Sequence, residues 1–312
     1  MTAVLSKSFA EASSGEARCL RSSVANTDES IVEMTTVASP EIDHSGLSHV
    51  GSVREDNQDS IRLSENYSTA ERGLLYALAD GMGGYSHGGI ASATAIETFF
   101  ETFYGSPSKD IPRDLKRSVD AANLGVFQAS QRLGAIRMGT TLTAVNIYGQ
   151  HLYLTHIGDS RAYLIRDQRA TLLTADHTTV GELVRAKIIS PDKVRTHAQR
   201  SVLTKGLGLK LFVQADITQH LLRNDDRLIL CSDGVWSMIQ DDEFAEMTVD
   251  SKDTQTLSQN LIDLSLDRQS DDNVSVIAIH LQRLAPVTGH EARRGWSLPD
   301  LIRKRVYGHT NE

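Results

Sequence analysis

Two apolar runs in this chain end in the same way. Leu74-Leu75-Tyr76-Ala77-Leu78-Ala79 gives way to Asp80-Gly81, and Leu228-Ile229-Leu230-Cys231 gives way, after Ser232, to Asp233-Gly234. A short apolar run bounded by turn residues reads as a buried strand, so each run delivers a carboxylate to the rim of a sheet. Gly81, Gly83 and Gly84 crowd in behind the first aspartate. Glycines there let the backbone bend sharply or approach a ligand, which leaves the Gly81 carbonyl available as a further oxygen ligand. One aspartate after a strand is an ordinary turn former. Two strand ends built alike are harder to set aside.

Around these runs the hydrophobic period changes from helical to strand-like and back. Apolar groups at Ala93, Ile96, Phe100 and Phe103 predict a helix over 88–104, and Leu115, Val119, Ala122, Val126 and Ala129 predict another over 113–133. Three β-rich runs follow, 141–148, 151–157 and 161–166. They are joined by Gly149-Gln150 and Gly158-Asp159-Ser160, turn chemistry that predicts a meander with Asp159 at a strand junction. Residues 178–209 break the pattern; short helices at 180–186 and 191–197 are expected in a segment able to cover a site. Helices over 241–247 and 254–266 precede a last strand, 274–281, which begins on Asp271-Asp272-Asn273.

Composition narrows the function classes. The chain has 312 residues, 40% of them hydrophobic, enough for one sizeable core. The expected organisation is a flexible polar tail over 1–40, a catalytic domain over 41–284 and a C-terminal extension over 285–312. In that extension Arg293 to Arg305 form a short basic amphipathic helix that docks back on the domain. A net charge of -8 offers no basic footprint for nucleic acid. Two distant cysteines, Cys19 and Cys231, make neither a disulfide framework nor a thiolate zinc site. No membrane span is legible, and the expected location is the cytoplasm.

Asp59, Asp80, Asp159, Asp233 and Asp272 each fall at the edge of a predicted strand or in the turn beside it. Gathered on one rim without compensation, two such charges at about 4 Å repel by roughly 4 kcal/mol at an effective dielectric of about 20, so cations or protons must accompany them. An all-oxygen set without histidine or cysteine at ligand spacing selects Mg²⁺ or Mn²⁺ over zinc. Such ions turn water into a nucleophile near neutral pH and neutralise phosphoryl charge. Arg54, in the dense Arg54-Glu55-Asp56-Asn57-Gln58-Asp59 stretch, offers a bidentate phosphate clamp. No G-x-S-x-G elbow and no phosphate-binding glycine loop is present. Phosphate ester hydrolysis by activated water follows. Two competing readings are a catalytically dead module that sequesters phosphoproteins and a two-metal phosphodiesterase or nuclease.

Six motifs, Arg54 to Asp59, Asp80-Gly81-Met82-Gly83-Gly84, Met138-Gly139-Thr140-Thr141, Gly158-Asp159-Ser160-Arg161, Ser232-Asp233-Gly234-Val235-Trp236 and Asp271-Asp272-Asn273, resemble in order those of bacterial type 2C metal-dependent serine/threonine protein phosphatases. The resemblance spans roughly residues 45–281. It implies an α+β fold, a central sandwich of two antiparallel sheets flanked by helices in α-β-β-α layers. It implies a dinuclear Mg²⁺/Mn²⁺ site in which Asp80 bridges both ions, Gly81 binds one through its carbonyl, Asp233 and Asp272 bind the other, and Asp159 serves a third, weaker ion. By the same likeness Arg54 binds phosphate, Asp59 sits beside the metal waters, and 178–206 is a flap. The implied partners are phosphoproteins, a serine/threonine kinase among them. Two departures stand out: Met82 occupies a position where many eukaryotic relatives carry a histidine acid, and Gln58 one that is often Glu.

Overall fold

Strand β3 (Leu74–Met82) is apolar from Leu74 to Ala79 because both of its faces are covered. Its side chains alternate between two layers. Leu75, Ala77 and Ala79 pack with helices on one side, and Tyr76 and Leu78 pack against a second sheet on the other. The computed structural model that reveals this describes residues 40–64, 72–83, 87–135 and 137–284. The expected N-terminal tail up to residue 39 and the C-terminal extension with its amphipathic helix lie outside the described residues.

In chain order the strands are β1 (Glu41–His49), β2 (Asp59–Arg62), β3, β4 (Gly139–Thr140), β5 (Leu142–Tyr148), β6 (His151–Ile157), β7 (Arg161–Arg166), β8 (Arg169–Leu172), β9 (Asp216–Leu221), β10 (Arg227–Cys231) and β11 (Val274–Arg283). One sheet has the order β2-β3-β5-β6-β9 with β4 attached to β3; the other has the order β1-β11-β10-β7-β8. Every pairing is antiparallel. Helices α1 (His87–Tyr104) and α2 (Ile111–Leu133) cover the first sheet. Short α3 (Thr179–Arg185) and the single turn α4 (Asp233–Trp236) come next. Then α5 (Asp241–Asp250) and α6 (Thr254–Asp267) cover the second sheet. Between the sheets lies a third apolar layer in which Tyr76, Leu78 and Val145 meet Leu164, Leu230 and Ile277. The α-β-β-α arrangement implied by the motifs is the one observed.

Local chemistry explains the elements. Phe99, Phe100 and Phe103 of α1 are 0% exposed, each contributing about 1.5–3 kcal/mol of burial free energy. Helix α2 is framed at both ends: the Asp110 side chain accepts from the Arg113 N–H, and Gly134 closes the helix in the left-handed conformation at φ 61°. All five apolar positions that predicted α2 are buried. On α1 the buried stripe runs instead through Ala91, Ala95, Ile96 and the phenylalanines, while Ala93 is exposed. Of the two helices expected in 178–209, α3 forms, but the second shrinks to a 3₁₀ turn at Pro191–Lys193. The meander is also corrected. Strands β5 and β6 form a hairpin, but β7 belongs to the other sheet, so Gly158-Asp159-Ser160 is a crossover from one sheet to its partner.

Candidate metal centre

Strand parity decides which side chains reach the end of the layer between the sheets. On β3, Tyr76 and Leu78 face the opposite sheet, and Asp80 has the same parity. The strand does not stop there, because Gly81 and Met82 pair with Thr140 and Gly139 of β4. Asp80 therefore lies inside a strand rather than at its end. Gly81 is required by close approach: a Cβ there would fall 2.1 Å from the Gly88 carbonyl oxygen at the start of α1 and 2.6 Å from that of Gln58. On β2, Asp59 stands directly opposite Asp80 in the ladder, a placement in which like charges repel. Asp233 is the first residue of α4 rather than the end of a strand, and Asp272 lies in the loop just before β11.

The structure brings the other four aspartates within electrostatic reach of Asp80. The Asp80 carboxyl is raised well above the usual carboxylate value by burial and then by Asp59, Asp233, Asp159 and Asp272. Asp233 is pushed up to about 7 by burial, then by Asp272 and Asp59. Asp159 is raised by burial, then by Asp233 and Asp176. Burial also raises Asp59 to about 6, against the opposing hydrogen bonds of Ser275 and Ser232. The Asp80 and Asp233 carboxyls perturb each other directly, so without a cation protons must take its place.

Asp80, Asp159, Asp233 and Asp272 line one open cleft of about 1110 Å³, together with Gly81 and Arg54. Asp59 does not line it. Its carboxylate is buried and accepts from Ser275 Oγ of the opposite sheet at 2.6 Å. The donor set fits a hard divalent cation: every candidate ligand is oxygen, and Oδ1 of both Asp59 and Asp233 is buried with no hydrogen-bond partner. Among the described residues no three histidine, cysteine or carboxylate side chains close a cage by themselves. Mg²⁺ is usually held by only one or two carboxylates and keeps several waters.

Behind the cleft lies a polar scaffold built largely from motif residues to which the sequence alone assigned no role. The Asp80 N–H donates to Thr141 Oγ1 at 2.8 Å, and Thr141 is hydrogen-bonded to Ser160 at 2.9 Å. Asn273 clamps the loop that carries Arg54, donating to the Val50 and Asp56 carbonyls at 2.7 and 3.0 Å and accepting from the Gln58 N–H at 2.9 Å. Arg54 itself donates to Asp272 Oδ2 at 2.7 Å. Arg161 makes a two-pronged pair with buried Asp176 and lies over the Trp236 ring at 3.7 Å. Trp236 in turn donates Nε1–H to the Asp159 carbonyl at 2.9 Å. Trp236→Phe keeps most of the packing but leaves that buried carbonyl unpaired, an expected loss of about 1–3 kcal/mol. Thermal unfolding of the variant checks it; an unchanged melting temperature refutes the strut.

The segment over the cleft is pinned at both ends by bridges between Thr178 and Leu203 and between Thr140 and Leu207. Arg195 anchors its middle, donating to the Trp236 and Ile239 carbonyls and to Asp241. Met82 is no acid; its terminal methyl abuts Gly206, where an added Cβ would lie 2.9 Å away.

The profile of the family described as protein phosphatase 2C matches residues 46–267. A putative protein phosphatase 2C-type of Streptococcus pyogenes is 32% identical over 235 residues, covering 74% of this chain and 94% of that protein. The serine/threonine protein phosphatase PstP of Mycobacterium tuberculosis is 36% identical over 229 residues, 73% of this chain but 42% of its own length. The crystal structure of the PstP catalytic domain with two manganese ions superposes with a TM-score of 0.67 at 32% identity, covering 77% of this chain and 97% of that one. Sequence profile, relatives and superposed fold agree with the carboxylate cleft, and the chain belongs to the protein phosphatase 2C family of metal-dependent phosphoprotein phosphatases.

Proposed function

We propose that the chain hydrolyses phosphoserine and phosphothreonine monoesters with Mn²⁺ or Mg²⁺ held by Asp80, Asp233, Asp272 and the Gly81 carbonyl, and a third, weaker ion at Asp159. The observation that carries this reading is the convergence of five aspartates at one end of the inter-sheet layer, two with orphaned oxygens. When bound, the ions supply Lewis acidity that lowers the pKa of water and offsets phosphoryl charge. The protein's own groups do the rest. Arg54 engages Asp272 through Nη2 and is half exposed, which leaves donors of its planar fork free for phosphate oxygens. Asp59, buried behind the cleft and held by Ser275, is the carboxylate that sits beside the metal-bound waters.

Turnover of p-nitrophenyl phosphate and a phosphothreonine peptide with Mn²⁺, and its loss in EDTA, tests the reading; metal-independent turnover would falsify it. Arg54→Ala is expected to lower kcat/KM about a hundredfold, the loss of roughly two charge-assisted hydrogen bonds to phosphate. An effect smaller than threefold removes Arg54 from the phosphate site.

Substrates are proposed to include a serine/threonine kinase, and the location to be the cytoplasm. No helix among the described residues is long and apolar enough to cross a membrane. Phosphoproteomics after gene deletion tests the first, by accumulation of kinase phosphosites, and cell fractionation the second.

A further inference from the structure

The cleft is lined by seven carboxylates and two arginines. Arg54 is paired with Asp272. The other, Arg137, is exposed at the mouth and has no ion-pair or hydrogen-bond partner among the described residues. Its backbone is unusual as well. At φ 64° it occupies the left-handed region that glycine favours and a long side chain rarely adopts. That conformation turns the chain out of the Gly134-capped end of α2 and into β4, whose Gly139 pairs with Met82. Met138, the next residue, is buried at 1% exposure, so the reversal presents Arg137 outward beside the strand that carries Asp80 and Gly81. A residue held in a glycine conformation, charged, unpaired and facing a cleft is a candidate for recognition.

We propose that Arg137 is a specificity-determining residue that binds an acidic side chain flanking the phosphorylated residue of the substrate. The proposal rests on the phosphatase reading above. The cleft wall is otherwise strongly acidic, so a substrate carboxylate entering it meets repulsion everywhere beyond the ions except at the two arginines, and Arg54 is already engaged. Leu209, whose side chain lies against Gly139 two residues beyond Arg137, also lines the cleft. A bound segment therefore meets an apolar surface and a guanidinium side by side. The guanidinium fork suits a carboxylate through paired N–H donors, and its exposure keeps the gain modest and salt-sensitive.

The test compares two phosphothreonine peptides, one with glutamates flanking the phosphothreonine and one with glutamines in their place, with Mn²⁺ present. The wild-type protein is expected to favour the acidic peptide by about three- to tenfold in kcat/KM at low salt, with the difference in KM. The preference shrinks as salt is added. In Arg137→Gln the ratio falls to about one, and Arg137→Lys keeps part of it. The ratio is independent of the fraction of folded enzyme, so a poorly folding variant does not mimic the result. Arg137→Gly, which suits the backbone, is expected to lose the ratio while melting no lower than wild type. A wild-type ratio at or below one, or a ratio that survives in Arg137→Gln and Arg137→Gly, overturns the assignment. Absence of turnover of both peptides and of p-nitrophenyl phosphate overturns the phosphatase reading itself, and the Arg137 assignment with it.

Discussion

Asp80→Asn is expected to lower kcat/KM by about a thousandfold, some 4 kcal/mol of transition-state stabilisation, and at the same time to raise the melting temperature of the metal-free protein. The two halves come from one feature. Asp80 stands opposite Asp59 in the β2-β3 ladder, and without an ion its negative charge is opposed by burial and by four other aspartates, Asp233 among them. Asparagine has nearly the same shape, keeps an oxygen acceptor and carries no charge. Removing the charge relieves the repulsion and weakens the hold on the ions together. Relief of about 1–2 kcal/mol is a rise of several degrees in a domain of this size. Steady-state kinetics with Mn²⁺ and calorimetry in EDTA on the same preparation read both halves. A variant that keeps activity within tenfold of wild type, or melts lower without metal, excludes Asp80 as the shared ligand.

What could be read in advance follows from burial. A strand covered on both faces is a continuous apolar run, and the residue where the run breaks is conspicuous; Asp80 and Asp233 were legible for that reason. The limits of β3 were not, because Gly81 and Met82 remain in the ladder only through contact with β4, which arrives after two helices. Edge strands carry little pattern: β9 is largely exposed and β8 alternates between exposed and partly buried, and neither was foreseen. Strand β1, rich in histidine, serine and glycine, carries no clear apolar pattern, and β11 holds it in place. The crossover at Gly158 looked like a hairpin turn because turn chemistry does not reveal which sheet receives the next strand. Ser275 was not singled out and Ser232 was given no role, since a serine becomes a site donor only when the opposite sheet brings Asp59 to it.

Stripping divalent ions is expected to lower the melting temperature on the order of 10 °C at about pH 8 and by much less at about pH 5. The carboxyls of Asp80, Asp159 and Asp233 are all raised in the folded chain. A raised carboxyl keeps its proton when folded after the unfolded chain has lost it. The unfolded chain then binds fewer protons, and stability falls with rising pH. The decline in the metal-free protein begins near the ordinary aspartate value of about 4 and continues through about 7, the value reached by Asp233. Divalent ions replace those protons and hold better as the protons leave. The gap between loaded and stripped protein therefore widens from acid to neutral pH. A few kcal/mol of differential protonation, at 2–4 °C for each in a domain of about this size, gives the stated magnitude. Ion pairs elsewhere, such as Glu243 with Arg268 at 2.6 Å, are common to both samples and cancel in the difference. Calorimetry of loaded and stripped protein across that pH range measures the gap directly. A gap that stays constant, or narrows as pH rises, means that the raised carboxyls are not where the ions bind.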